Sequence, residues 1–117
     1  LTKIPYLIRR DQHKIGKAGR ASEQRLAREM GGRARPGSGS MEGAKGDISF
    51  GSVLLEAKST TNASIVLKKA WLDKIGTEAR SEGKMPALAV SFVHPDGKPV
   101  IDGEWVLITR HRFEELL

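Results

Sequence analysis

"GDISFGSVLLEAKST", residues 46–60, decides the fold, because it reads as a strand, a two-residue turn and a second strand. Gly51-Ser52 suits that turn, since glycine takes the positive φ that a type II′ connection needs. With those two residues as the loop, Phe50 pairs with Val53, Ser49 with Leu54 and Ile48 with Leu55. Asp47 then falls directly opposite Glu56. Cross-strand partners have Cβ atoms about 4.5–5.5 Å apart, where like charges are destabilising. Lys58, two residues beyond Glu56, points to the same face. The apolar neighbours Val53, Leu54, Leu55 and Ala57 indicate burial on both faces, which argues against the alternative of an exposed hairpin carrying a surface Glu56–Lys58 pair. The hairpin therefore gathers two carboxylates and an amine in one small volume.

Upstream, "GRASEQRLAREMGG" predicts a helix of about ten residues, with Ser22 as N-cap and Gly31-Gly32 as the stop. Glu23 shares a face with Leu26 and Ala27, which places an acid on the stripe meant for the core. An early-turn acid favoured by the helix dipole is the plainer account of it. Residues 1–18 show no clear period and read as a basic arm, leaving 19–117 as the folded domain. "GGRARPGSGSMEGAKG" reads as a loop, and no Gly-Lys pair in the chain has the spacing of a phosphate-binding Walker loop. Downstream of the hairpin, a helix is expected from about Leu67 to Glu82, with Trp71, Leu72, Ile75 and Ala79 as its apolar stripe. "MPALAVSFVH" and "EWVLIT" read as strands around a "PDGK" turn, and "RHRFEELL" as a last helix. The order indicates an α/β domain with a mixed sheet flanked by helices.

A chain of 117 residues supports one core. It has no cysteine, which excludes disulfides, thiolate zinc sites and thiol nucleophiles and suits a reducing cytoplasm. No apolar run is long enough for a membrane span, and no signal peptide is visible. The chain opens at Leu1 rather than a methionine, which leaves room for upstream sequence that is missing or cleaved. The net charge of +6 is unevenly spread: residues 1–35 hold ten Lys/Arg against three acids, and residues 36–117 ten against eleven. A basic end on a neutral body suits a phosphate backbone, although a solvated basic tail has the same composition. Aromatics at 5% are not interleaved with the bases, which counts against a single-strand stacking platform.

Two carboxylates forced together must share a proton, recruit a cation or destabilise the fold. Lys58 compensates one charge. A hard divalent ion such as Mg²⁺ would neutralise both by taking oxygen ligands from Asp47 and Glu56. With a lysine beside it, such an ion is suited to phosphodiester hydrolysis. Glu-x-Lys alone is a weak signal, with roughly one expected by chance in such a chain. The combination is stronger: Gly-Asp opening a strand, a hairpin turn, Glu-x-Lys ending an apolar strand, and an acid on an upstream helix.

That combination resembles the PD-(D/E)xK nuclease superfamily, and most closely its archaeal-type Holliday junction resolvases, from about Gly19 to Ile108. "GRASEQRL" is similar to the family's opening helix and implies a metal-site role for Glu23. "GDISF" and "LLEAKST" imply metal-binding Asp47 and Glu56 and catalytic Lys58, with the Ala57 carbonyl as a further ligand. "RARPGSGS" resembles the family's basic, serine-containing loop. Ser40 and Arg35 are the implied pair there, with Ser38 and Arg33 as alternatives and Arg20 and Lys45 as further DNA contacts. The resemblance implies a restriction-endonuclease-like fold and a homodimer nicking four-way DNA junctions with Mg²⁺, for which Mn²⁺ substitutes. Such an enzyme belongs to recombination and repair in the cytoplasm, whether of cellular or phage origin. Gly46 stands where the family motif has proline, which removes rigidity but no ligand. Related nucleases with the same core cut duplexes, flaps or specific sites, and a non-catalytic DNA-binding module is a rival from another class. His13, His94 and His111 lack metal-ligand spacing and read as structural or surface residues. Trp71 and Trp105 read as core or dimer contacts.

Overall fold

The computed structural model describes residues 5–34 and 47–117, with side chains from Ala18 onward apart from that of Ala34. The opening hairpin forms in the expected register. Strands β2 (Asp47–Phe50) and β3 (Val53–Thr60) are antiparallel, with Asp47 opposite Glu56 and Phe50 opposite Val53, and Gly51 takes a φ of 52° in the turn. Arg33–Ala34 add a two-residue strand, β1, beside β2, where the sequence reading placed only loop. Helix α2 (Lys69–Ser81) then crosses over to β4 (Met85–Val93), which runs parallel to β3. Strand β5 (Pro99–Leu107) returns antiparallel to β4, and α3 (Arg110–Glu115) closes the chain, capped by Thr109, whose side chain accepts from the Arg112 amide. The strand order is β1-β2-β3-β4-β5, a mixed sheet in an α/β domain. Among the described residues, no helix is long and apolar enough to cross a membrane.

The two faces of the sheet carry different helices, and strand alternation assigns the residues. Leu55 and Ile48 point to the face covered by α1, in a cluster with Leu26, Ala27, Ala87 and Ala89. Leu54, on the opposite pleat, packs with Ile75 and Ala79 of α2. The α2 stripe is thus half realised: Ile75 and Ala79 are buried, while Leu72 is 38% exposed.

The first helix continues unbroken through residue 18. Helix α1 runs from Pro5 to Met30, so the stretch read as an arm is largely its N-terminal half. Pro5 begins it where a missing N–H costs nothing. Ser22 is an interior residue, 1% exposed, rather than an N-cap. Where its side chains are described, the helix meets the turn after β4 through small residues, Ala18, Ala21 and Ser22. A Cβ added to Gly97 would lie 2.6 Å from the Ala21 Cβ and 3.1 Å from the Ala18 carbonyl oxygen, so the turn after β4 sits hard against α1. Arg25 ties the helix down further through Glu104 on β5 at 2.7 Å and Glu29 at 3.0 Å. Trp105 is not a core residue: it is 61% exposed, with its indole N–H donating to the Asp102 carbonyl at 2.9 Å.

Candidate metal centre

Pairing fixes Asp47 and Glu56 on one face, and that face belongs to α2. Glu56 follows Leu54 on the same pleat, so its side chain enters the layer between β3 and α2, where it is completely buried. Lys58 follows on the same pleat, with Nζ 3.0 Å from Glu56 Oε2. The same amine lies 4.7 Å from the centroid of the Trp71 ring, and Lys68 approaches that ring at 5.9 Å. Trp71 therefore supports cations beside the acids rather than filling the core.

Helix α2 adds two residues that the sequence reading missed. Glu78 joins Asp47 and Glu56 as a third carboxylate, with one oxygen from each lying within 4.8 Å of the others. Lys74, one turn earlier, places Nζ 3.5 Å from Glu56 Oε1 and 3.5 Å from Glu78 Oε1. Both residues directly precede a buried apolar residue of α2, Ile75 and Ala79. Flanking the apolar stripe was a signal for them, but its meaning depended on knowing that α2 lies over the pleat carrying Glu56.

The electrostatics are strained in the way that neighbouring carboxylates dictate. Burial, then the charge of Glu78 and that of Glu56, push the Asp47 carboxyl up to about 6, with Lys74 partly offsetting them. Lys74 is itself held above the ordinary lysine value. Burial works against its charge, but Glu56, Asp47 and Glu78 together outweigh it. Although Glu56 has a lysine near each oxygen, neither contact has hydrogen-bond geometry, and both oxygens lack a hydrogen-bond partner. A buried carboxylate held by charge alone is poorly satisfied, and with Asp47 and Glu78 it forms a group of three carboxylates of the kind that can hold a metal ion.

The remaining expected residues fall in different places. Glu23 does not join the carboxylate cluster. It is half-buried on α1, in an interaction of its own, and α1 covers the other face of the sheet. The helix-borne acid that does join the cluster is Glu78 of α2. The Ala57 side chain packs toward the α1 cluster, while its backbone adjoins Glu56 on β3. Arg20 and Arg33 are exposed, whereas Arg35, Ser38, Ser40 and Lys45 lie outside the described residues. Neither His94 nor His111 belongs to the cluster. No protein-family model, curated sequence or solved structure matches this chain.

Proposed function

We propose that this protein is a divalent-metal-dependent DNA endonuclease with a restriction-endonuclease-like core. The observation that carries the reading is the convergence of Asp47, Glu56 and Glu78, with Lys58 3.0 Å from Glu56. A stability argument does not account for it. Buried ion pairs commonly contribute little compared with apolar packing, and perturbed acids gathered in one place point to chemistry.

Asp47, Glu56 and Glu78 would hold Mg²⁺, with the Ala57 carbonyl as a further ligand. When bound, the ion supplies a water of lowered pKa and neutralises charge growing on the phosphate. Lys58, anchored between Glu56 and the face of Trp71, orients the attacking water or stabilises the pentavalent phosphorus centre. Exposed Arg20 and Arg33 offer charge to the DNA backbone. Arg25 is committed to Glu29 and Glu104 instead. By its resemblance to the junction resolvases, the substrate is a four-way junction, cut by a homodimer.

The deciding experiment compares Mg²⁺-dependent cleavage of four-way junctions, flaps, linear duplex and single strands. Paired symmetric nicks in junction arms support the narrower assignment. Uniform cutting of every substrate leaves a nuclease without junction preference. Cleavage by Asp47→Asn equal to wild type, from rigorously purified protein, would rule the mechanism out.

A further inference from the structure

The lysines of α2 fall into two kinds. Lys69 is 84% exposed and pairs with Asp73 on its own helix, an ordinary solvated contact. Lys74 instead bridges elements: its amine sits 3.5 Å from Glu78 of α2 and 3.5 Å from the fully buried Glu56 of β3. Its side chain is still 44% exposed, so it reaches the acids from the solvent side. The contact to Glu56 lacks hydrogen-bond geometry, and the Glu56 oxygens are left without a directional partner. Lys58 covers the other oxygen from within the sheet, less than half as exposed.

Charge and space together define what Lys74 does. Three carboxylates face two ammonium groups, so without Lys74 the cluster would hold three negative charges against one positive. Yet the amine lies 3.5 Å from one oxygen of Glu56 and 3.5 Å from one oxygen of Glu78, two of the three carboxylates that would hold a divalent ion. A divalent ion held by the same carboxylates would compete with that amine for their charge, and like charges drawn into one small volume repel strongly. We propose that Lys74 is a resident counter-ion, holding the carboxylates together in the metal-free protein and leaving them when a divalent cation enters. Lys74 then lowers the metal affinity of the site. The inference rests on the metal reading given above. It adds that α2 supplies a competitor for the ion as well as its third ligand.

Titration of the full chain with Mn²⁺ alone, with free Mn²⁺ followed by electron paramagnetic resonance, tests it. Lys74→Gln should bind Mn²⁺ about 5–10-fold more tightly than wild type, because a competing charge has been removed. Lys69→Gln, with the same change in net charge, should shift affinity by less than about twofold. Equal or weaker binding by Lys74→Gln overturns the inference while leaving the metal reading intact. Absence of binding by both wild type and Lys74→Gln overturns the metal reading, and this inference with it. An experiment on the unmutated protein covers the case in which the substitution prevents folding. Acylation of Lys74 by an amine-reactive reagent should accelerate about threefold or more when Mn²⁺ is added, as a competing cation frees the amine. Lys69 should not respond. Unchanged reactivity at Lys74 in wild type that binds Mn²⁺ refutes displacement.

Discussion

Replacing Asp47 by asparagine should stabilise the metal-free protein while sharply reducing its response to metal. The structure holds this carboxyl at about 6 against an ordinary value of 3.8, chiefly through burial and Glu78. The folded state therefore binds the proton more tightly than the unfolded chain, and stability falls as pH rises from about 4 to about 6. Taken at face value, the shift corresponds to about 3 kcal/mol. Asp47 is only half-buried, so solvent screening reduces this to about 1–1.5 kcal/mol. For a chain of this length that is a gain of about 4–6 °C in Tm. Thermal melts in EDTA at pH 7.5 should show Asp47→Asn above wild type by this amount. At pH 4, where Asp47 is protonated in the folded state, the difference should close. Addition of Mg²⁺ at about ten times its Kd should raise wild type by about 1.4 kcal/mol and the variant by much less. A variant less stable than wild type at pH 7.5, or a gain independent of pH, would show that no electrostatic strain is stored at residue 47.

Lys58→Ala should lower cleavage by about 10²-fold or more while Mn²⁺ binding persists, as measured by single-turnover assays beside metal titration. Glu78→Gln should weaken Mn²⁺ binding about tenfold or more, whereas Glu23→Gln should leave it within about twofold, since only the former faces the cluster. The opposite ranking in calorimetric titrations would return the helix-borne ligand to α1. Gly97→Ala should destabilise by about 2–4 kcal/mol in urea melts, because φ is 88° and the new methyl meets Ala21 and the Ala18 carbonyl.

The hairpin was legible because its information is local. A glycine at the turn and period-two alternation fix the pairing, and pairing alone sets Asp47 against Glu56. Helix α2 and strand β4 were equally visible in their apolar patterns. What escaped depends on which surface meets which. Residues 5–18 show no apolar period in the sequence, so the N-terminal half of α1 read as an arm. Glu23 and Glu78 each border an apolar stripe on a helix, and nothing local distinguishes them. Only the alternation of β3, which turns Leu55 toward α1 and Glu56 toward α2, decides which acid reaches the carboxylate cluster. Trp105 stays out of the core because β5 is an edge strand that leaves much of its length exposed.

The opposed acids at the open end of the β2–β3 hairpin also bear on the order of assembly. An isolated ribbon with Asp47 facing Glu56 has only Lys58 to offset two acids where it should zip shut, and the second amine, Lys74, arrives only with the crossover helix. Docking of α2 and the parallel β3–β4 pairing should therefore precede closure of that end, even though the hairpin contacts are closest in sequence. In pulse-labelled refolding, amides of β4 should gain protection before those of β2; the reverse sequence of protection would contradict this order.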